Sequence, residues 1–132
     1  MAAINMWQSP LVLLPKLAAT MLSLLHVYIL YLEMFLWTTP KGRRAFGLKS
    51  AEFARQTRVL AANQAFYNGI LAAGLAWGAA HPDPLVARQI RLFFASAVAA
   101  AGVFGGLTAS RRIFVVQALP GFVGVLVELA LW

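Results

Sequence analysis

Residues 22–37 read LSLLHVYILYLEMFLW, an apolar run interrupted by one histidine, His26, and one carboxylate, Glu33. An ionised side chain within bilayer hydrocarbon costs roughly 2.5–3.5 kcal/mol, and such residues face a protein interior, a cavity or a partner. Glu33 therefore predicts a buried polar site on an otherwise apolar helix. His26 lies seven residues earlier, on about the same helical face and roughly 10 Å away along the axis.

The surrounding composition agrees with a membrane reading. Hydrophobic residues make up 61% of the chain and charged residues 11%, with a mean hydropathy of +0.76. Soluble domains carry about a quarter charged residues. The 132 residues accommodate four spans of about 20 residues with short connections and no separate soluble domain. The expectation is an all-α integral membrane four-helix bundle, one transmembrane domain over 1–132 with spans at about 17–37, 59–80, 92–109 and 113–132. The absence of cysteine excludes disulfides, thiolate metal sites and thiol chemistry.

Local signals mark the span ends. Thr38-Thr39-Pro40 and the basic residues Lys41, Arg43 and Arg44 stop the first run, and Pro15 breaks its apolar lead-in. The second helix is expected to begin ahead of its span, with Ser50 as N-cap and Glu52 in the first turn. His81-Pro82 ends it. Asp83-Pro84 reads as a cap followed by proline at the first helical position. Pro120 removes an amide from the last helix and predicts a kink, with the carbonyl of Val116 freed. Trp7, Trp37, Trp77 and Trp132 fall near span ends, where an interfacial belt accounts for them. Glu128 is expected at an interface. No basic residue precedes the first run, so it reads as a retained span rather than a signal peptide.

Charge sets the expected orientation. Lys41, Arg43, Arg44, Lys49, Arg55, Arg58, Arg111 and Arg112 lie in the first and third connections, against Lys16, Arg88 and Arg91 on the other side. The positive-inside rule then places both termini on the non-cytoplasmic side. The chain is expected in an inner (plasma) membrane, with the bilayer as its main partner and anionic lipid headgroups at the cytoplasmic face. Nucleic acid is not an expected partner, because these charges flank spans.

Depth arithmetic gathers further polar residues near Glu33. Asn63 and Gln64 follow Arg58 by five and six residues, and Gln117 follows Arg112 by five. Gln64, Tyr67 and Asn68 share one helical face. The expected ligand-binding set is Glu33, His26, Tyr31, Asn63, Gln64, Tyr67, Asn68 and Gln117, with Arg58, Arg111 and Arg112 at a cytoplasmic mouth. Glu33 and His26 are also the candidate catalytic residues. A competing reading is structural: amides glue membrane helices together, and Glu33 pairs with Arg58, Arg111 or Arg112. No metal is expected, since the remaining ligands are amides and hydroxyls. Two small-residue stripes in the third span, Ala97, Ala101, Gly105, Ala109 and Gly102, Gly106, Ser110, predict packing faces between helices or subunits, as do Ala65, Gly69 and Ala73 in the second.

The run His26-Val27-Tyr28-Ile29-Leu30-Tyr31-Leu32-Glu33-Met34-Phe35-Leu36-Trp37-Thr38-Thr39-Pro40-Lys41-Gly42-Arg43, with Phe46-Gly47-Leu48, Asn63-Gln64, Tyr67-Asn68-Gly69 and Gln117-Ala118-Leu119-Pro120, resembles a group of small bacterial integral membrane proteins known as a domain of unknown function. The resemblance implies a four-helix membrane protein and carries no established activity, substrate or cofactor. An acidic residue often precedes the histidine in that group; here Leu25 stands there.

Three functional readings follow. The favoured one is a membrane protein that binds or transports a small molecule or ion in a polar cavity, proton-coupled through Glu33 and completed by a homo-oligomer. The second is an intramembrane enzyme acting on a lipid or quinone-like substrate with Glu33 and His26 as acid and base; no hydrolase or phosphate-loop motif is present. The third is a structural subunit of a membrane assembly.

Overall fold

In the computed structural model, which describes residue 11 and residues 13–131, the opening apolar run lies within one long helix, α1 (Leu13–Phe35). It starts earlier than expected because Pro15 falls in the first turn, where its missing amide would have had no partner. Two short helices follow, α2 (Pro40–Phe46) and α3 (Ala51–Gln56), then α4 (Arg58–Ala80), α5 (Pro84–Thr108) and α6 (Leu119–Ala130). No strand occurs among the described residues.

The boundaries have identifiable chemistry. Thr39 caps α2, its hydroxyl accepting from the Gly42 amide at 3.2 Å, with Pro40 in the first turn. Gly47 closes α2 at φ +63°, a left-handed conformation that a side chain would strain. The Ser50 hydroxyl accepts from the Phe53 amide at 3.0 Å, and Asp83 Oδ1 accepts from the Val86 amide at 2.9 Å. Both caps sit where the sequence places them. The helix expected to run on from Ser50 does not: α3 stops at Thr57. The Thr57 hydroxyl donates to the Phe53 carbonyl at 2.7 Å and accepts from Trp37 Nε1 at 3.0 Å. Back-bonding of this kind competes with the helical ladder, and Trp37 holds the break from outside. Phe46 packs on the same indole, with ring centroids 4.9 Å apart.

The disturbance expected at Pro120 includes a π-helical turn just before it. Residues Phe114–Ala118 make a π-helical turn in which the Leu119 amide bonds to the Phe114 carbonyl. Proline cannot donate to Val116, and widening the turn by one residue rearranges the ladder just before it.

The described residues divide into two compact units, one holding those up to Ser23 together with those from Ala73 onward, the other Leu24–Ala72. In the first unit, α5 packs on α6 through small residues: Ala95, Val98, Ala99, Gly102 and Gly106 are buried on α5 and Ala118, Gly121 and Gly124 on the facing side. A Cβ on Gly102 would collide with the backbone of Gln117 and Ala118, so contact at the π turn requires glycine there. Of the two expected stripes in α5, this one packs; Ala101 and Ala109 of the other are exposed. In the second unit, α4 turns Ala61, Ala65 and Ala72 inward, and Gly69 lies under the Leu30 side chain.

Large apolar side chains also cover the outward faces of α1 and α5. Leu13, Leu17, Met21, Leu24 and Val27 on α1, and Phe93, Phe104 and Leu107 on α5, are exposed. Among the described helices, α1 and α5 are long and apolar enough to cross a membrane, and 114–130 is a shorter apolar helix. Trp7 and Trp132 lie outside the described residues.

Candidate functional site

The buried face of α1 carries Ala19, His26 and Glu33 at seven-residue intervals, with Leu22 and Ser23 beside them. Two helical turns nearly return to the same azimuth, so a helix that buries Ala19 also buries the histidine and the carboxylate. His26 is 0% exposed and Glu33 is 8% exposed.

Within the Leu24–Ala72 unit, α4 meets Glu33 with Asn68. Alanines at positions 61, 65 and 72 share its face, and their small side chains let α4 come close enough for a short amide to reach across. Asn68 Nδ2 donates to Glu33 Oε2 at 2.8 Å and to the Gln64 carbonyl at 3.2 Å. Both amide hydrogens are therefore committed, which fixes the orientation of Asn68. Among the described residues Glu33 makes no ion pair, and its other oxygen, Oε1, has no protein partner. Within this unit the pairing with Arg58 considered from sequence is not formed; an amide holds the carboxylate instead.

The remaining expected residues divide. Gln64 contributes its carbonyl, while its side chain is exposed. Asn63, Tyr31 and Tyr67 stand on exposed faces, and Tyr31 packs on Phe35 with ring centroids 5.7 Å apart. Arg58 is exposed at the start of α4. Gln117 is half-buried in the π turn of the other unit, where Arg111 and Arg112 are exposed between α5 and that turn. Among the described residues no three His, Asp or Glu side chains converge to hold a metal ion.

A second polar cluster, in the other unit, has no counterpart in the sequence expectations. Arg91 and Glu128 form a fork-to-fork pair: Arg91 Nε bonds Glu128 Oε1 and Arg91 Nη2 donates to Glu128 Oε2 at 3.2 Å, while Nη1 donates to the Gly78 carbonyl at 3.0 Å. Arg91 is 7% and Glu128 4% exposed. Glu128 is thus buried rather than interfacial, and Arg91 belongs to α5 rather than to a connection. A Cβ on Gly78 would meet Arg91 Cγ at 2.7 Å, so glycine admits the arginine stem. The crevice around the pair, lined by Pro15, Ala19, Leu22, Leu75, Ala95 and Gly124, is too narrow for a water molecule. The cluster is dry and complete, which fits a structural clamp. A signal existed: Arg91 lies 18 residues before Ala109 and Glu128 18 residues after Ser110, so an antiparallel turn at 109–110 sets them opposite one another.

No curated protein and no solved structure matches the chain. A family model does match, over residues 20–129, from α1 through nearly all of α6 and including both polar clusters. The chain therefore belongs to the family described as "Protein of unknown function (DUF1304)".

Proposed function

We propose that this protein is a small integral membrane protein that binds or moves a small molecule or cation at Glu33, with proton exchange at the same carboxylate. The observation that carries the reading is the half-committed carboxylate: Asn68 holds Oε2, and among the described residues Oε1 has no partner and Glu33 no counter-charge. The buried pair Arg91–Glu128 provides the contrast within one chain. There each guanidinium nitrogen and each carboxylate oxygen has a partner, as a structural pair requires; at Glu33 one oxygen is left for a ligand, a proton or water.

Membrane placement is supported by α1 and α5 and by the apolar residues on their outward faces. The Lys and Arg imbalance supports a bacterial inner membrane orientation with both termini on the non-cytoplasmic side and the α2–α3 segment toward the cytoplasmic face. Phe46, Leu48 and Phe53 among the basic residues there suit contact with anionic headgroups. The exposed side chains of Tyr31, Asn63, Gln64 and Tyr67 are available to a second copy, so the site is completed in a homo-oligomer. The test is native mass spectrometry of the detergent-purified chain beside Glu33→Gln. A retained small molecule or cation that disappears in the variant supports the reading, and identical spectra with no ligand in either remove it.

A further inference from the structure

An open groove of about 480 Å³ runs between α5 and α6 and shares no lining residue with the crevice around Arg91 and Glu128. Ala100, Val103, Phe104 and Leu107 line it from α5, and Phe122 and Val125 from α6. Its wall is almost wholly apolar, with Ser96 the one hydroxyl. From Ser96 to Leu107 the groove follows α5 for about 16 Å at 1.5 Å per residue, close to the roughly 15 Å depth of one hydrocarbon leaflet. Immediately beyond Leu107 the chain turns, and Arg111 and Arg112 are exposed in that turn. Neither makes an ion pair among the described residues.

We propose that this groove is a site for a phospholipid with an anionic headgroup, one acyl chain lying along α5 and the phosphate at Arg111 and Arg112. Length and charge select this occupant together. A groove one leaflet long, with two adjacent exposed arginines four and five residues past Leu107 in the chain, matches a molecule with a tail of that reach and a negative head at one end. The Phe104 and Phe122 rings supply broad apolar contact, and the small side chains of Ala99 and Ala100 leave the space that the chain fills. The proposal rests on the membrane placement argued above and not on Glu33.

Native mass spectrometry of the full chain in detergent tests it, with phosphatidylglycerol and phosphatidylcholine of equal chain length added in competition. The expected result is one retained lipid per chain, with phosphatidylglycerol favoured about 30-fold at the usual contribution of two basic residues near an anionic surface. Arg111→Gln/Arg112→Gln should bring the two lipids to parity, and Ala100→Trp, which fills the groove from an exposed position, should reduce retention of both. No preference in the wild type, a preference that survives Arg111→Gln/Arg112→Gln, or retention unaffected by Ala100→Trp would each overturn the assignment. So would a lipid-free dimer that Ala100→Trp dissociates, which would make the groove a contact between copies. A chain that stays soluble and monodisperse without detergent would instead fail the membrane placement itself.

Discussion

Removing one member of the Arg91–Glu128 pair should be the most damaging single change in the chain. Glu128→Leu deletes two hydrogen bonds to the guanidinium and leaves Arg91 with the Gly78 carbonyl alone. Hydrogen bonds to charged groups contribute about 1.5–3 kcal/mol each, and breaking a buried ion pair from one side costs about 3–5 kcal/mol. The wild-type crevice has no room for a water that could take over the lost carboxylate's place. Arg91→Met leaves an unpartnered buried carboxylate and belongs on the same scale. Unfolded helices in a micelle find other polar partners, which draws both losses toward the lower end, about 3 kcal/mol. The combined variant Arg91→Met/Glu128→Leu removes both charges and replaces them with apolar side chains. Such replacements range from neutral to stabilising by about 1–4 kcal/mol, so the double variant should be at least as stable as the wild type. Reversible denaturation in mixed micelles, followed by circular dichroism, gives the four free energies of the cycle. Single variants that each lose under about 1 kcal/mol, or a double variant that loses the sum of the two, would refute the clamp.

Other expectations concern the packing, the carboxylate site and the short helices. Gly102→Ala should destabilise by about 1–3 kcal/mol because the new methyl meets the backbone of the π turn, whereas Ala101→Leu, on the exposed stripe, should change the same denaturation midpoint little. Asn68→Ala removes the one hydrogen bond to Glu33 and should cost about 1.5–3 kcal/mol in that assay, with Asn68→Gln giving partial recovery. On α3, hydrogen bonding to Arg55 and its charge hold the exposed Glu52 carboxyl below its ordinary value. A carboxyl lowered in the folded state stabilises above the ordinary carboxylate range and loses that contribution as pH falls through its folded value. Amide protection in α3 should therefore drop on acidification, and Glu52→Gln should remove the dependence; protection that is flat with pH in the wild type would contradict it.

What the sequence reveals and what it hides separate along physical lines. Caps were legible because Ser50 and Asp83 act on amides three residues away, within the same stretch of chain. The burial of Glu33 was legible because its apolar neighbours and helical period define one face. Its partner was half legible: Asn68 stood among several amides and phenols, and α4 presents that one while turning Asn63 and Tyr67 outward. The Arg91–Glu128 clamp was hidden because each residue alone looked like an end charge, and only the antiparallel register of α5 and α6 joins them. The Thr57 break was hidden for a similar reason, since Trp37 comes from 20 residues away to hold it. Pro120 announced a disturbance, but that the π turn before it packs against Gly102 shows only once α5 and α6 are side by side.

Proton exchange at Glu33, as proposed, and none at Glu128 can be measured directly. With four Asp and Glu residues in the whole chain, infrared difference spectroscopy on the protein in lipid bilayers can assign each carboxyl by single substitution. Stepping pH across the neutral range should reveal a reversible carboxyl band that is absent in Glu33→Gln and retained in Glu52→Gln. Identical wild-type and Glu33→Gln difference spectra would mean that Glu33 never exchanges a proton, and the proton-coupled account of the site would fall.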